Sequence, residues 1–304
     1  MGLAKPSLRF IVREHKYKPI TGPLLQLGRQ TIGLEEAELS ALIKEEGLIP
    51  AALPQRATPA SLDVLFFNLL GIAKVYAMDF SAYEGADFIH DLNQPVDKSL
   101  AGRFDFILDG GTTEHVFDIR QSMRNIATML RPGGRILHMQ PTNNYVNHGF
   151  YQFSPTFYYD YYSANNFVNL RGFLFEHEAK RPWGGRLYEL NPLTKQQQIA
   201  SGDPLKSMAT FFLAEKTAAS TADAIPTQSV YADLKSGTSP RPLPKGASAV
   251  LKKRVNRALP RPVVRVLQRG ITAMGLESSN GEPFFDPTRH RSHPYGQKYL
   301  GKLE

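Results

Sequence analysis

The sequence predicts an α/β protein built on an open, doubly wound and mostly parallel sheet. Residues 104–108 form an apolar run that ends on Asp109 and two glycines, the pattern of a central strand that leads a carboxylate into a turn. Residues 135–139 repeat the apolar run after a Pro-Gly-Gly turn. Between the two runs, apolar residues recur every three or four positions, which predicts the crossover helix of a βαβ unit. Because the carboxyl edge of such a sheet carries the ligand site, the polar loops within residues 86–155 are where a site is expected.

The segments before residue 100 fit the same architecture. Each predicted strand is short and is followed by a glycine or an aspartate: residues 23–27 before Gly28, residues 74–78 before Asp79, and residues 87–90 before Asp91. Two helices are predicted between the first two strands, one over residues 35–46 and one that begins at Ser61. Strands that alternate with helices in this way favour parallel pairing.

The second half of the chain closes the sheet and then changes composition. Ser154 and Pro155 predict the start of an aromatic helix that continues to residue 164. The remaining predicted elements are two closing strands at residues 167–176 and 208–215 and two basic amphipathic helices at residues 247–258 and 263–274. The predicted organisation is a domain over residues 1–216, a linker over residues 217–246 and a helical basic extension over residues 247–304.

The composition limits the classes of chemistry and partner. The chain has 304 residues and no cysteine, which excludes disulfides and thiolate chemistry. Its net charge of +8 lies in residues 217–304, which carry 14 Lys and Arg against 6 Asp and Glu. This basic extension either packs on its own domain or faces nucleic acid, an anionic membrane surface or an acidic partner. No segment has the apolar run of a signal peptide or a spanning helix, so a cytoplasmic location is expected.

Three aspartates follow successive predicted strands: Asp79, Asp91 and Asp109. Together with HDL at 90–92, FDFILDGGTTEHV at 104–116 and LRPGGRI at 130–136, they make the chain resemble the class I S-adenosylmethionine-dependent methyltransferases over about residues 22–216. HGFYQFSP at 148–155 is similar to a string of a bacterial methyltransferase-like subgroup. The resemblance implies a Rossmann-like methyltransferase fold with a seven-stranded, mostly parallel sheet and S-adenosylmethionine as the cofactor.

The resemblance also implies which residues bind the cofactor. Asp79 would bind the ribose, and Asp91 with Leu92 would flank the adenine. Asp109 with Gly110 would border the methionine end.

The first glycine motif departs from the family pattern. Residues 26–34 are QLGRQTIGL, in which only Gly28 falls at the expected turn and Arg29 and Gln30 replace small residues. Arg29 either grips the methionine carboxylate with its planar guanidinium or fills the site and leaves a non-catalytic scaffold. The sequence leaves both alternatives open.

Transfer of a methyl group to a hydroxyl requires a general base. His115 and His148 are the candidates, because imidazole titrates near neutral pH, and Glu114 precedes His115. The alternative for Glu114 and His115 is a structural place at the start of a helix. The same three side chains offer ligands for a divalent ion, but their spacing matches no recognised metal signature, so no metal is predicted.

The loop after the fifth strand provides a candidate acceptor site. Asn143, Asn144 and Gln152 offer hydrogen bonds to a polyhydroxylated or amide substrate, and Tyr151 and Phe153 offer flat apolar walls. Alternatively, the amides satisfy the backbone of their own loop. The predicted function is O-methyl transfer to a small or carbohydrate-like acceptor, and the alternative is a non-catalytic scaffold of the same fold. A nucleic-acid acceptor is not expected, because no Asn-Pro-Pro-Tyr type motif follows the fourth strand.

Overall fold

The structure is a computed structural model of the chain that describes residues 2–52, 61–178, 181–190, 206–229, 231 and 298–303. The chain divides into two compact units. The first consists of Met1–Lys195, Asp203–Gln228 and Ser292–Glu304, and the second of Gln196–Gly202 and Ser229–Arg291. Only Ser229 and Tyr231 of the second unit are among the described residues.

The first unit alternates helices and strands along the chain. The helices are α1 (Lys5–Tyr17), α2 (Glu36–Glu45), α3 (Leu62–Leu69), α4 (Ile119–Met129) and α5 (Pro155–Ala164). The strands are β1 (Gly2–Leu3), β2 (Leu24–Leu27), β3 (Thr31–Ile32), β4 (Val75–Asp79), β5 (Phe88–Ile89), β6 (Phe104–Asp109), β7 (Leu130–Asn143), β8 (Val168–Glu178), β9 (Arg181–Leu190), β10 (Lys206–Glu215) and β11 (Lys298–Leu303). Within the described ranges, no helix has both the length and the apolar composition that crossing a bilayer requires.

One large sheet organises the unit. It contains nine strands in the order β11-β9-β8-β10-β7-β6-β2-β4-β5. The strands from β5 to β7 pair in parallel, and β10 runs antiparallel to both β7 and β8. The chain leaves β2 toward β4 and β5 and then returns to β6 on the other side of β2. The topological switch point of the sheet therefore lies between β2 and β6.

Helices cover both faces of the sheet. The core on one face is formed with α1, α2 and α3, and the core on the other face with α4 and α5. Adjacent residues of a strand alternate between the two cores, as Leu24 and Leu25 of β2 and Phe211 and Phe212 of β10 do. Burial of each such side chain contributes roughly 2 kcal/mol, so apolar packing on both faces fixes the register of the strands.

The predicted fold class is confirmed. The seven predicted strands correspond to β2, β4, β5, β6, β7, β8 and β10, and the helices predicted at residues 35–46, from Ser61 and at residues 154–164 correspond to α2, α3 and α5. Ser154 caps α5 by accepting from the Thr156 N–H. Two strands, β9 and β11, extend the sheet beyond the seven that were expected.

The N-terminal helix α1 is an addition to the predicted elements. Its buried residues include Leu8, Ile11 and Val12, which recur at helical spacing, and Pro6 lies in its first turn. The helix therefore covers one face of the sheet with an apolar stripe.

Parts of the predicted linker and extension are described. Ser220 and Thr221 donate hydrogen bonds to Asn166 and Asn165, so this part of the predicted linker lies on the first unit. β11, within the predicted extension, pairs antiparallel with β9. The two predicted basic helices at residues 247–258 and 263–274 lie outside the described residues.

Candidate active site

The ends of three parallel strands meet at the switch point of the sheet. Leu27 of β2 pairs with Met78 of β4 on one side and with Asp109 of β6 on the other. The Gly28 N–H donates to the Met78 carbonyl at 2.7 Å, which holds the turn after β2 against β4. The structure therefore brings Gly28, Asp79 and Asp109 to one edge of the sheet.

Gly28 allows the backbone to approach Asp79 closely. Its φ of +72° lies in the left-handed region that favours glycine. A Cβ at this position would lie 2.9 Å from Thr112 Oγ1 and 3.8 Å from Asp79 Oδ2. The other carboxylate oxygen, Asp79 Oδ1, accepts from the Ser81 N–H at 3.2 Å. An acidic residue after the second strand beside a glycine turn is the arrangement that binds ribose hydroxyls in doubly wound folds.

The Arg29 guanidinium contacts acidic residues of its own domain. Nη1 lies 3.4 Å from Asp63 Oδ2, and Nη2 lies 3.3 Å from Asp87 Oδ2. Nη2 also donates to the Gly85 carbonyl at 2.7 Å. Arg29 therefore ties the start of α3 to the loop after β4, a structural role that the sequence does not predict.

Gln30 packs directly over Gly110. A Cβ on Gly110 would lie 2.6 Å from Gln30 Oε1, so a larger residue there would displace the amide from this place. Gln30 is 3% exposed, and its Nε2 donates to the carbonyl oxygens of Gly28 at 3.1 Å and Leu27 at 3.3 Å. Oε1 is also buried, and no hydrogen bond from the described residues reaches it. The turn after β2 thus contains a buried acceptor without a donor, at the predicted methionine end.

Asp91 and Leu92 follow β5 in a compact turn. Asp91 Oδ1 accepts from the Asn93 backbone N–H at 2.9 Å and from its Nδ2 at 2.8 Å. These two hydrogen bonds, the backbone one first, hold the pKa of Asp91 below its usual value. Leu92 is buried in the core on the α4 and α5 face. Asp91 therefore stabilises the turn after β5, and Leu92 contributes to the core.

Asp109 is completely buried and its oxygens are occupied. Oδ2 accepts from the Thr113 hydroxyl at 2.6 Å and lies 2.7 Å from His138 Nδ1. Oδ1 accepts from the backbone N–H groups of Thr112 and Thr113, each at 3.2 Å. Burial alone would raise the pKa of Asp109, but the interactions with His138 and Thr113 outweigh burial and lower it. Asp109 thus organises the turn after β6 as a buried carboxylate.

The three predicted catalytic residues form a cluster. Glu114 Oε1 lies 3.6 Å from His115 Nε2 and 3.5 Å from His148 Nε2. The centroids of the two imidazole rings are 5.1 Å apart. The Glu114 side chain is fully buried, whereas those of His115 and His148 are 47% and 33% exposed. The imidazoles therefore stand between a buried carboxylate and the solvent.

The backbone of Glu114 brings the loop with His148 to this place. The Glu114 carbonyl accepts from the Phe150 N–H at 2.8 Å. A Cβ on Gly149 would lie 2.8 Å from the same carbonyl oxygen, so glycine permits the close approach. The loop after β7 thus docks through its main chain on the short 3-10 helix Thr113–His115 that follows β6.

The surroundings shift the pKa of both Glu114 and His115. Burial raises the pKa of Glu114 to about 8, and the charge of Asp109 acts in the same direction. Burial lowers the pKa of His115, and a charge on His148 lowers it further. At neutral pH these shifts favour a protonated carboxyl beside a neutral imidazole, the form of imidazole that accepts a proton.

The predicted amides of the acceptor site lie in and beside the same loop. Asn143 is the last residue of β7 and is partly exposed. Asn144 Nδ2 donates to the Lys206 carbonyl at 2.6 Å, and Gln152 Oε1 accepts from the Tyr145 N–H at 3.1 Å. Asn144 and Gln152 therefore support the loop's own structure through these hydrogen bonds, which is one of the two alternatives that the sequence leaves open.

Aromatic rings border the cluster. Tyr151 stacks on Phe153 with a centroid distance of 5.7 Å, and its hydroxyl donates to the Phe117 carbonyl at 2.7 Å. The rings of Phe117 and Phe150 pack edge to face at 5.6 Å and are both exposed. Sequence reasoning does not single out Phe117 or Phe150, although aromatic residues next to predicted catalytic positions were an available signal.

Tyr145 is a second residue that sequence reasoning misses. Its ring lies edge to face with the His148 ring at 5.5 Å, and its hydroxyl oxygen is 2.5 Å from His177 Nε2. Burial, followed by the charge of Glu114, raises the pKa of Tyr145 to about 12. Tyr145 therefore stays un-ionised and supports one side of the His148 ring.

Comparison with known proteins finds one family and a set of remote structures. Residues 62–190 match the family model described as "Methyltransferase domain". No curated protein matches the chain at a significant level. A 1,6-didemethyltoxoflavin-N1-methyltransferase from Burkholderia thailandensis, solved with bound 1,6-didemethyltoxoflavin and S-adenosylhomocysteine, is 16% identical with a TM-score of 0.35, over 71% of this chain and 79% of that one. A SAM-dependent methyltransferase from Archaeoglobus fulgidus is 12% identical with a TM-score of 0.36, over 69% of this chain and 95% of that one.

TM-scores this low assign neither a substrate nor a mechanism to the chain. The order of the sheet is an observation on the chain itself: the strands from β5 to β8 follow the doubly wound arrangement, with only β10 reversed. This order and the match over residues 62–190, which covers less than half of the chain, show that the chain is similar to methyltransferase domains, and the matched domain indicates S-adenosylmethionine as the cofactor.

Proposed function

We propose that the chain is an S-adenosylmethionine-dependent methyltransferase that transfers a methyl group to a hydroxyl of a small or carbohydrate-like acceptor. The observation that carries the proposal is the cluster of Glu114, His115 and His148. It lies on the loops that follow β6 and β7, at the same edge of the sheet as Gly28 and Asp79. A proton acceptor and a nucleotide-binding turn at one sheet edge are the two parts that O-methyl transfer needs.

The residues at the strand ends fit the cofactor. The Asp79 carboxylate beside Gly28 suits the ribose hydroxyls, and Asp91 with Leu92 lies after the next strand, where the adenine is expected. The buried Gln30 Oε1, which no donor among the described residues reaches, suits an ammonium group such as that of a bound amino acid. When bound, S-adenosylmethionine supplies a methyl group on a positively charged sulfur.

The chain's own residues would then handle the proton of the acceptor. A neutral imidazole nitrogen of His115 or His148 takes the hydroxyl proton as the oxygen forms its bond to carbon. The Glu114 carboxyl borders both rings, with Oε1 3.6 Å from His115 Nε2 and 3.5 Å from His148 Nε2. The exposed edges of the two histidines leave an approach for the acceptor from solvent.

The surroundings of the cluster favour an acceptor with a flat face and polar edges. Phe117 and Phe150 expose their rings, and Asn143 is partly exposed at the end of β7. An aromatic face packs against the apolar face of a sugar or a ring, while an amide hydrogen-bonds its hydroxyls. This combination supports the small or carbohydrate-like class of acceptor.

A second candidate function is a non-catalytic scaffold. The observation that favours it is the Gln30 side chain, which packs on Gly110 where the family usually has small residues. In this alternative, the amide occupies the space of the cofactor's amino-acid end, and the fold serves only to bind partners.

Calorimetric titration with S-adenosylmethionine and S-adenosylhomocysteine separates the two functions. We expect micromolar binding by the natural chain and its loss in Asp79→Ala, because that substitution removes a charge-assisted contact to the ribose. Asp97→Ala is the matched control, since Asp97 is an exposed cap of a short 3-10 helix. If the natural chain binds neither compound, the methyltransferase proposal fails and the scaffold stands.

A further inference from the structure

We propose that Glu114, His115 and His148 form a binding site for one divalent transition-metal ion, such as Zn²⁺. The site itself rests on geometry alone, whereas its use in binding the acceptor rests on the proposed function. The spacing of the three residues in the sequence predicts no metal, but the structure brings one atom of each within 4.8 Å of the others.

The distances suit a metal with mixed nitrogen and oxygen ligands. Ligands at 2.0–2.1 Å from a tetrahedral zinc ion lie about 3.4 Å from one another. The two distances from Glu114 Oε1, to His115 Nε2 and to His148 Nε2, are 3.6 Å and 3.5 Å. Both imidazoles would reach ligand positions through small rotations of side chains that are partly exposed. Two imidazoles and one carboxylate favour Zn²⁺, Co²⁺, Ni²⁺ or Mn²⁺ over the all-oxygen ions Mg²⁺ and Ca²⁺.

The state of the Glu114 carboxylate is an independent observation that points to a cation. Both of its oxygens are buried without a hydrogen bond of ordinary geometry from the described residues, although the buried Gln140 side chain interacts with the carboxyl group. A buried carboxyl group without hydrogen bonds costs free energy that a partner usually offsets. The Asp109 carboxylate nearby makes the location more negative, because Asp109 lies at the end of β6, just before the 3-10 helix that carries Glu114. A bound cation would provide a stronger partner than the neighbouring side chains do.

The surrounding backbone fixes the ligands in place. The Glu114 carbonyl accepts from the Phe150 N–H, and Gly149 lies against the same oxygen, so the two loops cannot separate without breaking this contact. Tyr145 supports the His148 ring from the side, and its own hydroxyl is fixed by His177. Metal ligands in proteins are typically held in position by neighbouring groups of this kind.

The exposed side of the cluster leaves open positions for an oxygen ligand. A hydroxyl bound there would have its pKa lowered by the metal and would lose its proton to water before it attacks. The acceptor oxygen would then form its bond to the methyl carbon of S-adenosylmethionine as the bond between that carbon and sulfur breaks. The electron pair of the broken bond would remain on sulfur. In the metal-bound state the imidazoles are ligands, and the metal replaces them as the group that activates the hydroxyl.

Metal titration of the chelator-treated, full-length protein tests the site. We expect one equivalent of Zn²⁺ by calorimetry, and a visible absorption band when Co²⁺ is used in its place. Glu114→Gln, His115→Ala and His148→Ala should each weaken Zn²⁺ binding by at least about tenfold. His90→Ala is the matched control, because His90 lies outside the cluster and bonds to the Gln94 carbonyl.

Titration of the same variants with S-adenosylhomocysteine separates the two proposals. Retained binding of this compound shows that a variant is folded, and metal binding that does not respond to the three substitutions overturns the metal site. If the natural chain binds no metal, the metal site is also overturned, and the proposal that an imidazole acts as the base still stands. Metal binding without any cofactor binding would overturn the proposed function and leave the metal site standing.

Discussion

His138 Nδ1 lies 2.7 Å from Asp109 Oδ2, and both side chains are completely buried. The two residues also face each other in the ladder between β6 and β7. On its other side, His138 Nε2 is 2.7 Å from the Tyr162 hydroxyl of α5. The carboxylate that organises the turn after β6 is thus connected to the helix on one face of the sheet.

His138→Ala should destabilise the protein by about 3–5 kcal/mol, because it leaves a buried carboxylate without its main partner. Urea denaturation gives the free energy of unfolding directly. Tyr162→Phe is the comparison, since it keeps the ring and removes one hydrogen bond, at a cost of about 1 kcal/mol. If the two variants lose the same free energy of unfolding, the contact between His138 and Asp109 does not contribute the expected stability.

Gln30→Met should weaken binding of S-adenosylmethionine by about tenfold, the equivalent of a charge-assisted hydrogen bond worth about 1.4 kcal/mol. Methionine keeps most of the volume of the side chain and removes the acceptor Oε1. Calorimetric titration measures the loss, and the free energy of unfolding shows whether the turn after β2 is preserved. A gain in affinity with Gln30→Ala would instead show that the side chain fills the cofactor's space, as the scaffold alternative requires.

The sequence predicts those elements whose signal is local. β6 and the helix that follows it are predicted because an apolar run, a Gly-Gly turn and a period of three to four residues lie next to one another. α1 has the same kind of signal, because Leu8, Ile11 and Val12 recur at helical spacing. The sequence prediction considers the N-terminus only as a possible signal peptide and therefore misses this helix. The pairing of β9 with β11 is different, because it joins distant segments and no local pattern specifies it.

The sequence predicts the individual residues of the candidate site but not the contacts between them. Glu114, His115 and His148 stand out as chemistry-bearing residues in polar loops, and the order of a parallel sheet puts both loops at one edge. Their contact depends on the close approach of Gly149 to the Glu114 carbonyl, which no local sequence pattern specifies. His138 is inside a strand, where its pairing with Asp109 depends on register between two segments.

The stability of the protein should decrease as the pH falls below about 4.5, partly through Glu46. Burial alone would raise the pKa of Glu46, but hydrogen bonds and charges from Arg13 and Arg9 outweigh burial, and the pKa is lower than its usual value of 4.5. A carboxyl with a lowered pKa in the folded state stabilises that state above its unfolded pKa. The contribution is lost as the pH falls through the folded pKa.

Glu46→Gln removes this contribution at every pH. We expect a loss of about 1 kcal/mol at pH 7, in the range for ion pairs near the surface. The difference between the natural chain and the variant should shrink as the pH falls below 4.5, the usual pKa of the group. Denaturation at several pH values measures it, and a difference that does not change with pH would contradict the ion-pair explanation.

Gly28→Ala should weaken cofactor binding as well as stability, whereas Gly71→Ala should affect stability alone. Both glycines have a positive φ, of +72° and +83°, so alanine at either position costs about 1–2 kcal/mol of folding free energy. The new methyl group at Gly71 would meet nothing within 4 Å, but at Gly28 it would lie 2.9 Å from Thr112 Oγ1 and 3.8 Å from Asp79 Oδ2. It would therefore stand at the place proposed for the ribose. Titration of both variants with S-adenosylhomocysteine, at a temperature where both are folded, gives the comparison. If Gly28→Ala binds as tightly as Gly71→Ala, the ribose does not lie between the turn after β2 and Asp79.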